Sequence, residues 1–103
     1  MKSYITTDLE QLVELPSKFE LKQNYPNPFN PTTTIVYSLP KSGYVSIKVV
    51  NILGETVADL VNGYEKEGIH KVLFNGSNTA SGIYFYTIKF GNKFISNKML
   101  LIK

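Results

Sequence analysis

The sequence predicts an all-β domain, an antiparallel sandwich of about seven strands. Three observations carry that prediction. Apolar and polar residues alternate with a period of two through most of the chain. Clusters of glycine, asparagine and proline interrupt the alternation at intervals of roughly 8–12 residues. After residue 19 no segment shows the helical period of an amphipathic helix, which excludes a strand–helix–strand plan.

Residues 1–18 stand apart from this pattern. Asp8 to Leu15 has the spacing for two helical turns, with Leu9, Leu12 and Val13 on one side, and Pro16 stops any helix there. A helix that short is marginal on its own, so residues 1–18 read as a linker or the tail of a preceding domain. Residues 19–31, FELKQNYPNPFNP, read as an ordered, extended lead-in. Pro26, Pro28 and Pro31 lack backbone donors and push the residue before each into extended backbone, which rules out a helix or a central strand. Asn27 and Asn30 each precede a proline and suit Asx turns. Tyr25 and Phe29 are the expected apolar anchors.

Strands follow in order. Thr33 to Leu39 places Ile35, Tyr37 and Leu39 on one face. Pro40, Ser42 and Gly43 turn the chain into Tyr44 to Ile52, with Val45, Ile47 and Val49 on one face. The cluster from Asn51 to Glu55 is the next turn, and Thr56 to Val61 is a short strand of weaker pattern. Asn62-Gly63 reads as a strong turn signal. Ile69 to Asn75 puts His70, Val72 and Phe74 on one side. Gly82 closes a loop before Ile83 to Phe90, and Gly91-Asn92 leads into Phe94 to Ile102. Ile35, Tyr37, Val45, Ile47, Val49, Val72 and Phe74 are expected to share one core.

This strand count and spacing fit an immunoglobulin-like sandwich, without the paired cysteines and core tryptophan of antibody domains. Phe74 is expected to fill part of the missing volume. Tyr84, Phe85 and Tyr86 are consecutive, so at least one ring points away from the core. Such a ring either packs under a loop or the lead-in, the expected outcome, or forms a platform for a sugar or a protein.

Composition narrows the chemistry. The chain has no cysteine, which removes disulfides, thiolate metal sites and cysteine nucleophiles. Net charge is +3, and all 11 basic residues are scattered lysines, a pattern unlike a nucleic-acid surface. No apolar run approaches the roughly 20 residues of a membrane helix, so direct membrane insertion is not expected. The single histidine, His70, lies in a strand beside Val72 and Phe74 and reads as a packing residue. The serines lack a nucleophile motif, and the acids of the Glu65-Lys66-Glu67 segment read as a solvated hairpin tip. Neither catalysis nor a cofactor or metal is expected.

From residue 21 onward, motifs occur in a recognisable order: LKQNYPNPFNPTTTIVYSLP, VSIKVVNILGETVADLV, GIHKVLFNG, SGIYFYTI and NKMLLIK. This order resembles the type A C-terminal sorting domain of the type IX secretion system, and the related immunoglobulin-like domain of the flagellar hook-capping protein. The lead-in residues Tyr25, Pro26, Asn27, Pro28, Phe29, Asn30 and Pro31 carry the most specific part of the resemblance. Gly54 matches the family's turn glycine, Gly82 and Tyr84 match its glycine–apolar–tyrosine motif, and Lys98, Met99, Leu100, Leu101, Ile102 and Lys103 match its terminal motif. Glu55 and Phe74 depart from it, where arginine or lysine and tryptophan are frequent.

The resemblance implies a non-catalytic delivery signal, covalently preceded by a passenger protein. A type IX outer-membrane translocon would read it and a sortase-like peptidase would remove it. The passenger would be periplasmic in transit, then surface-bound or secreted. Residues 98–103 are the expected recognition element, as the exposed edge of a last strand. The alternative is a structural spacer, or an adhesion or carbohydrate-binding module, of an extracellular protein.

Overall fold

Period-two alternation becomes strands throughout the computed structural model, which describes residues 3–6, 12–15 and 18–103. β1 (Ser3–Thr6) and β2 (Leu12–Leu15) pair antiparallel, Ser3 opposite Leu15 and Thr6 opposite Leu12. The helical turns that the spacing of Asp8 to Leu15 allows are not formed at Leu12–Leu15, which is strand; residues 8–11 lie outside the described residues. A two-turn helix closes few hydrogen bonds against its nucleation cost, and pairing with β1 satisfies backbone groups that such a helix leaves open.

The remaining seven strands form two antiparallel sheets. β3 (Glu20–Leu21), β4 (Thr32–Leu39) and β7 (Gly68–Asn75) make one, in the order β3-β4-β7. β5 (Gly43–Val50), β6 (Thr56–Glu65), β8 (Gly82–Phe90) and β9 (Lys93–Leu101) make the other, in the order β6-β5-β8-β9. The chain crosses between sheets at the β4–β5, β6–β7 and β7–β8 connections. This three-on-four sandwich is the predicted fold class and is consistent with an immunoglobulin-like architecture.

β6 departs from expectation. It runs to Glu65 instead of ending at Val61, and the Asn62-Gly63 pair is not a turn: Asn62 lies opposite Ser46 and Gly63 opposite Val45. β5 offers a partner along that whole length. The chain reverses instead after Glu65, where the Glu67 amide donates to Ser42 Oγ at 3.2 Å and the Ser42 hydroxyl donates to the Glu67 carboxylate. Register shifts at Ile47/Lys48 and Val49/Val50 interrupt the alternation of β6, which accounts for its weak sequence pattern.

All seven residues expected in the core face the interior, but they divide between two adjoining clusters. Phe29, Ile35, Val49, Phe74, Tyr84, Tyr86, Met99 and Leu101 form one. Tyr37, Leu39, Val45, Ile47, Ile88 and Phe90 form the other. Half-buried Leu21, Leu60 and Val72 touch both and join them. His70 is half-buried and stacked on Tyr37 with ring centroids 5.2 Å apart, and its Nε2–H donates to the Lys66 carbonyl at 2.7 Å. It packs at the corner where the sheets meet, with Nδ1 3.9 Å from the Glu65 carboxylate. Of the aromatic triplet, Tyr84 and Tyr86 point inward; Phe85 faces outward and is half-buried, flanked by its cross-strand neighbours Val50 and Lys98.

Candidate recognition site

Antiparallel pairing sends the starts of β4, β6 and β8 and the ends of β5, β7 and β9 to one end of the sandwich. The lead-in, the turn at 51–55, the loop at 76–81 and the last residues of β9 meet there. All three sets of residues that carry the resemblance are thus gathered at one end.

The lead-in is locked by a buried polar network. The Tyr86 hydroxyl accepts from the Asn24 amide at 2.7 Å and donates to the Lys22 carbonyl at 2.8 Å. The Asn24 side chain is buried; its Nδ2 donates to Thr33 Oγ1 at 2.9 Å and to the Pro26 carbonyl at 3.2 Å, and Thr33 Oγ1 donates to that carbonyl at 2.8 Å. Every partner a buried amide needs is supplied. Tyr86 also stands two residues after Tyr84, where antibody domains carry their second cysteine. Tyr86 and Phe74 lie together in one core cluster, packed without any disulfide.

The two expected anchors behave differently. Phe29 is buried and meets Phe74 edge-on at 5.9 Å. Tyr25 is not an anchor: its ring is 79% exposed, and only its backbone is engaged, in a bridge to Thr34. Pairing with β4 puts Tyr25 on the outward side of the segment. Asn27 does not cap a local turn; its Oδ1 accepts from the Leu100 amide at 3.0 Å. Pro26, Pro28 and Asn30 are exposed, and half-buried Pro31 accepts from the Gly76 amide at 2.8 Å.

β9 lies at a sheet edge, but that edge is occupied. The Phe29 amide donates to the Leu100 carbonyl, and the Ile102 amide donates to the Phe29 carbonyl, both at 3.0 Å. Gln23 Nε2 donates to the Lys98 carbonyl at 2.8 Å. The lead-in thus takes the backbone groups that an added strand would use between Lys98 and Ile102. The side chains of this segment divide by parity. Met99 and Leu101 are buried in the core, whereas Lys98, Leu100 and Ile102 point outward. Lys103 folds back, its Nζ donating to the Ser77 carbonyl at 2.6 Å.

The matching glycine and tyrosine have structural work. Gly54 sits at φ 85°, where a side chain is strained, inside a turn held by Asn51. Asn51 Oδ1 accepts from the amides of Leu53 and Glu55 at 2.9 and 3.0 Å, and Asn51 Nδ2 donates to the Glu55 carboxylate at 2.9 Å. This turn holds Ile52 and Leu53 in solvent. Glu55 closes its own turn. Gly82 opens β8 opposite Leu101. The Tyr84 hydroxyl donates to the Ala80 carbonyl at 2.6 Å, the geometry of a tyrosine corner at the β7–β8 crossing.

Burial pushes the Tyr86 phenol above its ordinary range, opposed by hydrogen bonds from Asn97 and Asn24. Burial also raises Tyr37, reinforced by its hydrogen bond to the Glu65 carboxylate and by that charge. The Ser42 hydroxyl holds exposed Glu67 below the usual carboxylate range. Among the described residues no cluster of three or more histidine, aspartate or glutamate side chains could hold a metal, and no helix is long and apolar enough to cross a membrane. Sequence reasoning did not single out Gln23, Asn24 or Thr33. Gln23 and Asn24 carry no signal beyond polarity within the proline-rich lead-in, and Thr33 reads as an ordinary first strand residue.

Fold and site together define a β-sandwich domain whose distinguishing residues bind the lead-in to the last strand at one end. The chain belongs to the secretion system C-terminal sorting domain family, whose model matches residues 23–103. Members are non-catalytic C-terminal tails of passenger proteins in type IX secretion, a role that implies export to the cell surface or release. Neither a curated protein nor a solved structure matches the chain.

Proposed function

We propose that the type IX outer-membrane translocon reads this domain at the end where the lead-in meets β9. One observation carries the reading: Asn27 and Leu100, separated by 73 positions, are hydrogen-bonded, so two motif segments form one continuous surface. The partner contacts the outward side chains of Lys98, Leu100, Ile102 and Lys103, not the backbone edge of β9, because the lead-in holds that edge. Met99 and Leu101 act from the core by seating the strand. Residues 1–18 connect this domain to the passenger. The passenger crosses the periplasm, a sortase-like peptidase removes the domain, and the passenger is displayed on the surface or released. The domain itself needs no catalysis, cofactor or metal for this role.

The test is a fusion of the full chain behind a secreted reporter in a host with type IX machinery. Deleting residues 98–103 would remove Met99 and Leu101 from the core, so outward substitutions are the sharper probe. A variant combining Lys98→Glu, Leu100→Ser and Ile102→Ser should trap the reporter in the periplasm while the purified domain melts as a folded unit. Undiminished surface delivery of that folded variant would overturn the reading and favour a structural spacer.

A further inference from the structure

The outward face of the four-stranded sheet is chemically divided. Near the lead-in end it presents Ile83, Phe85 and Leu100, with Lys98 opposite Phe85. Toward the β8–β9 turn it carries a concavity of about 570 Å³, within the range of small-ligand sites. Two exposed rings, Tyr44 and Phe94, flank it at 58% and 67% exposure, and neither belongs to a core cluster. Between them the floor is polar. Strand pairing sets Lys48 opposite both Asp59 and Thr87, and Ser46 opposite both Asn62 and Lys89. The Tyr44 hydroxyl donates to Asn62 Oδ1, which orients that amide and leaves both its N–H groups uncommitted among the described residues.

Aromatic walls over a floor of ammonium, amide, hydroxyl and carboxylate groups match the two surfaces of a sugar. The C–H faces of a pyranose stack on rings, and its hydroxyls need donors and acceptors side by side. Charge selects the kind of sugar. Lys48 and Lys89 outnumber Asp59, and none of the three forms an ion pair among the described residues. A protein partner would have to desolvate these charges, and lysine is depleted from such interface centres. A nucleic-acid strand would set its continuous phosphates against Asp59, and the face has no arginine. A uronic-acid chain carries one carboxylate per sugar, and its hydroxyls can donate to Asp59.

We propose that this concavity binds an acidic oligosaccharide built of uronic-acid sugars, stacked on Tyr44 and Phe94 with its carboxylates on Lys48 and Lys89. The site lies apart from the surface assigned to the translocon, and its binding is independent of that assignment.

Calorimetric titration of the full chain tests it, using galacturonate, mannuronate and glucuronate oligomers as probes. Cello-oligosaccharides, polyglutamate and oligo-dT serve as neutral, acidic non-sugar and nucleic-acid comparisons. At least one uronate oligomer should bind. Tyr44→Ala and Phe94→Ala should each weaken it by about tenfold or more, with unchanged melting. Amide shifts on adding that oligomer to the unsubstituted chain should centre on Tyr44, Lys48, Asn62, Lys89 and Phe94, a readout that needs no variant. No binding of any uronate oligomer would overturn the proposal. So would equal or tighter binding of a comparison ligand, or shifts centred elsewhere.

Discussion

The two edges of the four-stranded sheet are protected by different means. At β6 the protection is local: register shifts against β5 bend the strand, and its exposed side chains include Asp59 and Asn62. At β9 it is imported: the proline-rich lead-in bonds to Lys98, Leu100 and Ile102 and drives Phe29 into the core. An edge of the first kind tolerates change one residue at a time. An edge of the second kind depends on a distant segment staying in place, so damage to the lead-in and damage to β9 become one event. This coupling gives the proline-rich motif and the terminal motif a shared physical reason for occurring together.

The largest expected effect comes from removing the wedge. Phe29→Ala should destabilise the domain by about 3–5 kcal/mol in denaturant unfolding, the range for truncating a buried aromatic. A loss under about 1 kcal/mol would mean that the lead-in does not depend on Phe29 to hold the β9 edge.

Next in size, Tyr86→Phe should cost about 1–3 kcal/mol, because it leaves the Asn24 amide and the Lys22 carbonyl without their shared partner. The same variant has a pH signature. A phenol raised in the folded state lends its stability in full below its unfolded value of 10.0 and loses it as pH climbs through the folded value. The melting temperature of the unsubstituted domain should therefore fall as pH rises above about 10, and Tyr86→Phe should fall less steeply. Equal slopes for the two would show that Tyr86 is not titrating against burial.

The smallest effect is expected at the other edge. Val57→Lys on β6 should shift stability by no more than about 0.5 kcal/mol, as an exposed edge position does. A loss comparable to that of Phe29→Ala would erase the distinction between the edges.

Period-two alternation made β4, β5, β7, β8 and β9 legible to within a residue or two, because each buries one face against the opposing sheet. It failed at β6, where bulges break the period, and Asn62-Gly63 then imitates a turn inside a paired strand. It also failed at residues 12–15, where spacing alone cannot choose between a short helix and a hairpin. The lead-in, Gly54, Gly82, Tyr84 and residues 98–103 stand in the sequence as separate segments, and only the fold brings them to one end. The division of residues 98–102 into inward Met99 and Leu101 and outward Lys98, Leu100 and Ile102 followed from parity once β9 was placed.

The sequence by itself determined the fold class, the inward faces of the regular strands and the chemistry the chain lacks, because these rest on composition and on contacts between near neighbours. Only the tertiary structure decided that Phe29 is buried and Tyr25 is not, that Asn24 is a buried hub, and that the β9 edge is closed. The burial of Phe29 and the closing of the β9 edge turn on groups that meet across some 73 positions, and Asn24 on a tyrosine 62 positions away; no local pattern encodes partners so distant.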